Sequence, residues 1–134
     1  MSAPTMSLLY TEVEEELRAA VRDLLTDRSG PAAVLARADT AASGGVPYDS
    51  ELWTALARDI GAAGLLVPEE LGGAGASARE AAVVLEELGR AVAVVPFFSS
   101  AVLATSALLA CDGPAARDLL GRLASGETTA ALAV

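Results

Sequence analysis

Apolar residues recur at three- and four-residue steps through most of this chain, the spacing of helices that bury one face. Val13, Leu17, Val21, Leu24 and Leu25 share such a face and predict a helix from about Thr11 to Arg28. Thr11 followed by Glu14 has the form of a capping box. Glu12, Glu14 and Glu15 stand in the first turn, where the helix dipole favours acids. Ser29-Gly30-Pro31 ends this helix, and Pro31 opens a short second one reaching Ala38. The stretch Asp39 to Asp49, with Gly44, Gly45 and Pro47, reads as a loop.

A third helix is expected from Asp49 or Ser50 to Ile60, with Leu52, Trp53, Leu56 and Ile60 inward. Leu65-Leu66-Val67 reads as extended and Pro68 to Ala76 as a glycine-rich turn. Ser77 with Glu80 is a second capping box, opening a helix to about Gly89 whose inward positions are Ala81, Val84, Leu85 and Leu88. Another helix is expected from Pro96 to Ala110. A last one runs from Pro114 to about Ala124, with Leu119, Leu120 and Leu123 as its stripe. Thr128 to Val134 reads as the beginning of a strand. The expected core includes Leu17, Val21, Leu24, Leu56, Ile60, Leu85, Leu88 and Leu119. The fold class is all-α, a five- or six-helix up-down bundle.

Composition narrows the chemistry more than the fold. The 134 residues are 53% hydrophobic, and 18 acids against 9 bases give a net charge of -9. That balance argues against nucleic acid or an anionic membrane as partner, since phosphates need a basic field. The chain contains no histidine, and all its basic residues are arginine. A Ser-His or Cys-His nucleophile, an imidazole metal site and a lysine Schiff base are thereby excluded within it. No catalytic residue and no metal ligand set is assigned. Cys111 is the only cysteine, which precludes an internal disulfide; at a helix end it is expected to be a small buried hydrophobe. Met1 to Tyr10 lacks a basic residue and is followed by acids, so no export signal is read. Arginine without lysine points to a GC-rich bacterial genome, and a bacterial cytoplasmic protein is expected.

Three patterns invite sharper readings. Ala91 to Cys111 is a run of 21 residues without charge. Pro96 interrupts it and Ser99, Ser100, Thr105 and Ser106 dilute it, so a buried central helix is favoured over a membrane span. Gly73-Ala74-Gly75-Ala76-Ser77-Ala78 fits the dinucleotide fingerprint. It lacks the preceding strand and has Glu69 and Glu70 near the supposed phosphate, so a turn between helices is favoured. Glu86 and Glu87 point roughly 100° apart on a helix and cannot share one proton site. A solvated face is expected there, with Glu86 paired to Arg90 four residues on.

Three segments in order resemble the N-terminal helical domain of the acyl-CoA dehydrogenase family: GLLVPEELGGAG at 64–75, LEELGR at 85–90 and LGRLASGETTAALAV at 120–134. The resemblance covers about residues 8 to 134. It implies an N-terminal tail over 1–10, the helical domain over 11–127, and over 128–134 the first strand of a middle β-domain that lies beyond this chain.

The resemblance further implies an FAD-dependent enzyme that dehydrogenates acyl-CoA thioesters between the α and β carbons. The base of such enzymes and most of their flavin contacts lie in later domains. This chain alone is therefore expected to be inactive and to bind no FAD tightly. Leu132, Ala133 and Val134 match positions where the family's flavin-contacting strand begins. Phe98, Ser99 and Val102 fall on the helix that lines the acyl cavity. The implied partners are an acyl-CoA and the remaining domains of the same polypeptide or a partner subunit, in a homo- or hetero-oligomer. A stand-alone, non-catalytic helical interaction module is the alternative.

Overall fold

The computed structural model describes residues 7–134, so the first six positions of the expected N-terminal tail lie outside the described residues. Six α-helices follow in order: α1 (Glu12–Arg28), α2 (Pro31–Ala42), α3 (Ser50–Thr54), α4 (Ala78–Arg90), α5 (Thr105–Leu109) and α6 (Pro114–Ala124). Among the described residues there is no strand. The all-α class follows from the apolar spacing as expected.

Both capping boxes form. Thr11 Oγ1 accepts the Glu14 amide at 3.3 Å, while the Glu14 carboxylate accepts the Thr11 amide at 2.7 Å. Ser77 and Glu80 repeat the arrangement at the start of α4. These two helices pack directly on one another. Glu14 meets Arg79, Arg18 meets Glu86 and Arg22 meets Glu87, a nearly constant sequence offset. Helices α1 and α4 therefore lie side by side and run in the same direction.

The main core joins α1, α3, α4 and the segment after Pro96 through Val21, Leu25, Leu52, Trp53, Leu56, Val84, Leu88 and Phe97. Leu17, Leu24, Ile60 and Leu85 lean on this core half-buried. On α6 the buried positions are Leu120 and Leu123, and Leu119 is only half-buried. Val13, expected on the inner face of α1, is 66% exposed. Glu14 takes the inward place beside it because Arg79 waits there.

The segment 65–67 is not extended. A 3₁₀ turn, Ala62–Gly64, leads through further turns that bury Leu65 and Val67. Here hydrogen bonds run back across the glycine turn: the Ala74 amide to the Gly64 carbonyl, Gly75 to Val67 and Ala76 to Leu65. Gly73 sits so close to Val67 that a Cβ would overlap its carbonyl.

Two helices are wound more widely than the sequence spacing implies. The third continues as a π-helix over Ala55–Asp59, and the charge-free run forms a π-helix over Phe97–Ala104 before α5. Each wide turn inserts about one residue and shifts the buried face by about 100°. The charge-free run is thus two-faced: Phe97, Ser100, Ala101, Ala104 and Thr105 are buried, while Phe98, Leu103 and Leu109 face outward. No helix among the described residues is long and apolar enough to cross a membrane. Helix α2 extends to Ala42, past the expected end at Ala38, and buries none of its residues. Cys111 is exposed, contrary to expectation, because it follows the last turn of α5; its thiol donates to the Ala107 carbonyl at 3.3 Å.

Candidate functional site

The turn between α4 and the π-helix shapes an apolar surface. Helix α4 ends in a Schellman motif, in which the Ala93 amide donates to the Leu88 carbonyl at 3.0 Å and the Val92 amide to Gly89 at 3.1 Å. The left-handed position of that motif favours glycine, yet here it holds Val92 at φ 51°. A β-branched residue in that conformation is strained, and the surrounding hydrogen bonds hold it there.

Val92 borders two open grooves. On one side Leu85, Leu88, Val94, Val95 and Phe98 line an open groove of about 440 Å³. On the other, Leu25, Val34, Leu35 and Arg90 belong to a groove of about 540 Å³ between α1, α2 and the end of α4. Phe98, 52% exposed, projects into the first. Its neighbours on the π-helix do not join it there. Val102 is half-buried against the main core, and Ser99 is half-buried without lining either groove. The second groove was not legible in the sequence, because it depends on the loose docking of α2.

The other expected site residues lie at the C-terminal end. Thr128 to Val134 forms neither helix nor strand, and Leu132, Ala133 and Val134 are exposed. Among the described residues their main-chain groups have no hydrogen-bond partner, whereas the Ala130 amide donates to Ser100 Oγ at 3.0 Å. A strand needs a neighbour to pair with, and the helical body offers none.

The buried carboxylates belong to structure. Arg22 grips both oxygens of the fully buried Glu87, at 2.6 and 2.9 Å, and Arg90 adds a contact at 3.1 Å. The expected solvated face and the Glu86–Arg90 pair are thereby corrected. Arg90 turns to Glu87, and Glu86 instead accepts from Tyr10 at 2.9 Å and Arg18 at 3.2 Å. The Arg22 guanidinium, then Arg90, hold the Glu87 carboxyl below its ordinary range against the opposing effect of burial. Arg79, aided by the Thr11 amide, holds Glu14 at about 2. Carboxylates kept this acidic are weak bases at neutral pH. Among the described residues no group of three His, Cys, Asp or Glu side chains gathers to hold a metal. The Gly73 to Ala76 amides are spent on backbone carbonyls and the Ser77 amide on the Glu80 carboxylate, so the turn does not present the row of free donors a phosphate cradle needs.

Residues 11–127 match the family described as Acyl-CoA dehydrogenase, N-terminal domain. Among characterised relatives, acyl-CoA dehydrogenase IpdE2 of Mycobacterium tuberculosis is 45% identical over 121 residues, which is 90% of this chain and 36% of that protein. Acyl-CoA dehydrogenase FadE27 of the same organism is 42% identical over 67 residues, 50% of this chain and 18% of that protein. The chain superimposes on the ChsE4-ChsE5 complex from Mycobacterium tuberculosis with a TM-score of 0.79 and 30% identity, covering 92% of this chain and 33% of the matched one. A variant of the Tcur3481-Tcur3483 steroid ACAD gives 0.77 and 31%, covering 88% and 31%. The chain thus spans about a third of the length of IpdE2 and of the two solved structures.

Proposed function

The chain belongs to the acyl-CoA dehydrogenase family, and on that premise we propose that it is the N-terminal helical domain of an FAD-dependent enzyme acting on acyl-CoA thioesters. Its role is to build one wall of the acyl pocket. The observation that carries this reading is the groove at Phe98, where α4 and the π-helix expose apolar side chains beside the strained Val92. Such a wall selects by volume and needs no reactive group of its own.

FAD fits the C-terminal segment in one respect. Leu132, Ala133 and Val134 offer exposed main-chain amides and carbonyls without partners among the described residues, the donor set for a flavin held through backbone groups. Bound there, FAD would accept hydride from the acyl β carbon. The base that takes the α proton would come from another part of the assembly. Residues 128–134 would then be the first strand of a middle β-domain and 11–127 the helical domain.

A mixed assembly is the form we propose, because both structural neighbours are two-component: a ChsE4-ChsE5 complex and the Tcur3481-Tcur3483 steroid ACAD. The latter also makes a steroid-derived acyl group the first substrate class to try. The test is to purify the polypeptide from its source cell with whatever accompanies it. An oxidised-flavin spectrum that bleaches on adding an acyl-CoA supports the reading. A colourless protein that binds only another polypeptide would favour the interaction-module alternative.

A further inference from the structure

We infer that Ser100 is a positioning residue that ties the C-terminal segment carrying Leu132, Ala133 and Val134 to the helix carrying Phe98, Ser99 and Val102. The functional meaning of this tie rests on the reading above; the tie itself rests on geometry. The bond from the Ala130 amide to Ser100 Oγ, at 3.0 Å, is the sole hydrogen bond between 128–134 and the helical body among the described residues.

Ser100 is only 3% exposed, on the same buried face as Phe97, Ala101 and Ala104. A hydroxyl in such a place is costly unless it is hydrogen-bonded, and packing alone would be served by alanine. Its aim is set by the π-turn. Thr105, wholly buried, directs both its backbone N–H and its Oγ1 at the Ser100 carbonyl, the latter at 2.9 Å. Without that wide turn the helix would close to an ordinary α-turn, and Ser100 would rotate by about 100° away from Ala130. Ala130 stands two residues before Leu132, so a fixed Ala130 places Leu132 within about 7 Å of it along the chain. Ser100 itself is two residues from both Phe98 and Val102. One side chain thus tethers the segment carrying the flavin edge to the helix that carries Phe98, and hydride transfer needs those two parts held close together.

The experiment has two arms. In the ¹⁵N-labelled 134-residue chain, exchange of the Ala130 amide with solvent should be slowed, and Ser100→Ala should speed it by roughly fivefold to tenfold. Ser100→Thr should keep the protection, and the Val83 and Val84 amides should not change. Should Ser100→Ala fail to fold, Ser100→Gly should release Ala130 in the same way, since it too removes the Oγ acceptor. An Ala130 amide that exchanges freely in the unaltered chain, or is unmoved in these variants, overturns the tie.

The second arm uses the flavin-bearing assembly. Ser100→Ala should weaken FAD binding, measured by flavin fluorescence, by a similar factor, and Ser100→Thr should restore it. Release of Ala130 with unchanged FAD affinity overturns the positioning role. An unaltered assembly that carries no flavin overturns the functional reading instead, and the exchange of Ala130 still decides the tie.

Discussion

Glu14 accepts Arg79 Nε on one carboxylate oxygen at 2.6 Å while the other takes the Thr11 amide at 2.7 Å. The residue that closes the cap of α1 thus also locks α1 to the first turn of α4. Arg79 spends two further N–H groups on the Ser7 and Leu9 carbonyls, both at 2.9 Å, and so holds the chain leading into α1.

This arrangement makes stability acid-sensitive in a defined window. The Glu14 carboxyl titrates at about 2 in the fold against an ordinary 4.5. A depressed folded value means that the contribution is fully present above the unfolded value and is lost as pH falls from about 4.5 towards 2. Urea titrations across that range should show stability falling with pH. Glu14→Gln should lower stability at pH 7 and flatten this part of the profile. A parallel pH profile for the variant would contradict the assignment.

Val92 carries a strain that glycine would relieve. A left-handed L-residue costs roughly 1–2 kcal/mol, partly offset by the greater freedom glycine loses on folding. Val92→Gly should therefore stabilise the fold by about 0.5–1 kcal/mol, read from the denaturant midpoint. In the flavin-bearing assembly the same change should weaken acyl binding, since it removes a side chain between the two grooves. A stabilised variant with unchanged acyl affinity would leave Val92 without that role.

Gly73 should tolerate no side chain. Its Cβ would overlap the Val67 carbonyl, which is backbone and is itself bonded to the Gly75 amide at 2.8 Å. Gly73→Ala should cost more than about 2 kcal/mol, near the upper range for one substitution. Gly89, with open space around its Cβ position inside α4, is the control: Gly89→Ala should be neutral or stabilising. Equal thermal midpoints for the two variants would refute the steric account.

The acyl wall predicts a change of preference with little effect on the chemical step. Phe98→Ala should enlarge the groove and favour bulkier acyl groups. Val102→Phe overpacks a residue that leans on the main core, so it should lower stability by roughly 1–3 kcal/mol and leave the acyl preference unchanged. Steady-state kinetics of the flavin-bearing assembly on a series of acyl-CoAs would measure the preference of both variants. A shifted preference for Val102→Phe would assign Val102 to the wall instead of to packing.

Helix identity, both capping boxes and the glycine turn were legible in the sequence because they arise within a few residues. Thr11 reaches Glu14, Ser77 reaches Glu80, and Leu52 and Leu56, like Val84 and Leu88, stand four residues apart on one helix. The same local rules misplaced Val13, Leu119 and Cys111, since periodicity names a stripe and not what lies against it. The family resemblance pointed to the helix after Pro96, but its periodicity could not show that Phe98 faces a groove while Val102 faces the core.

What only the tertiary structure decided depends on partners far along the chain. Glu14 and Glu87 are buried because Arg79 and Arg22, each 65 residues away and themselves partly exposed, cover and hydrogen-bond their carboxylates. A lone carboxylate would have stayed in water, which is why the sequence by itself put Glu87 on a solvated face. The π-turn over Phe97–Ala104 likewise closes where the buried Thr105 bonds to the Ser100 carbonyl, and it turns Ser100 towards Ala130. Local spacing determined which segments are helices; long-range pairing of charge and hydrogen bonds determined which of their faces are inside.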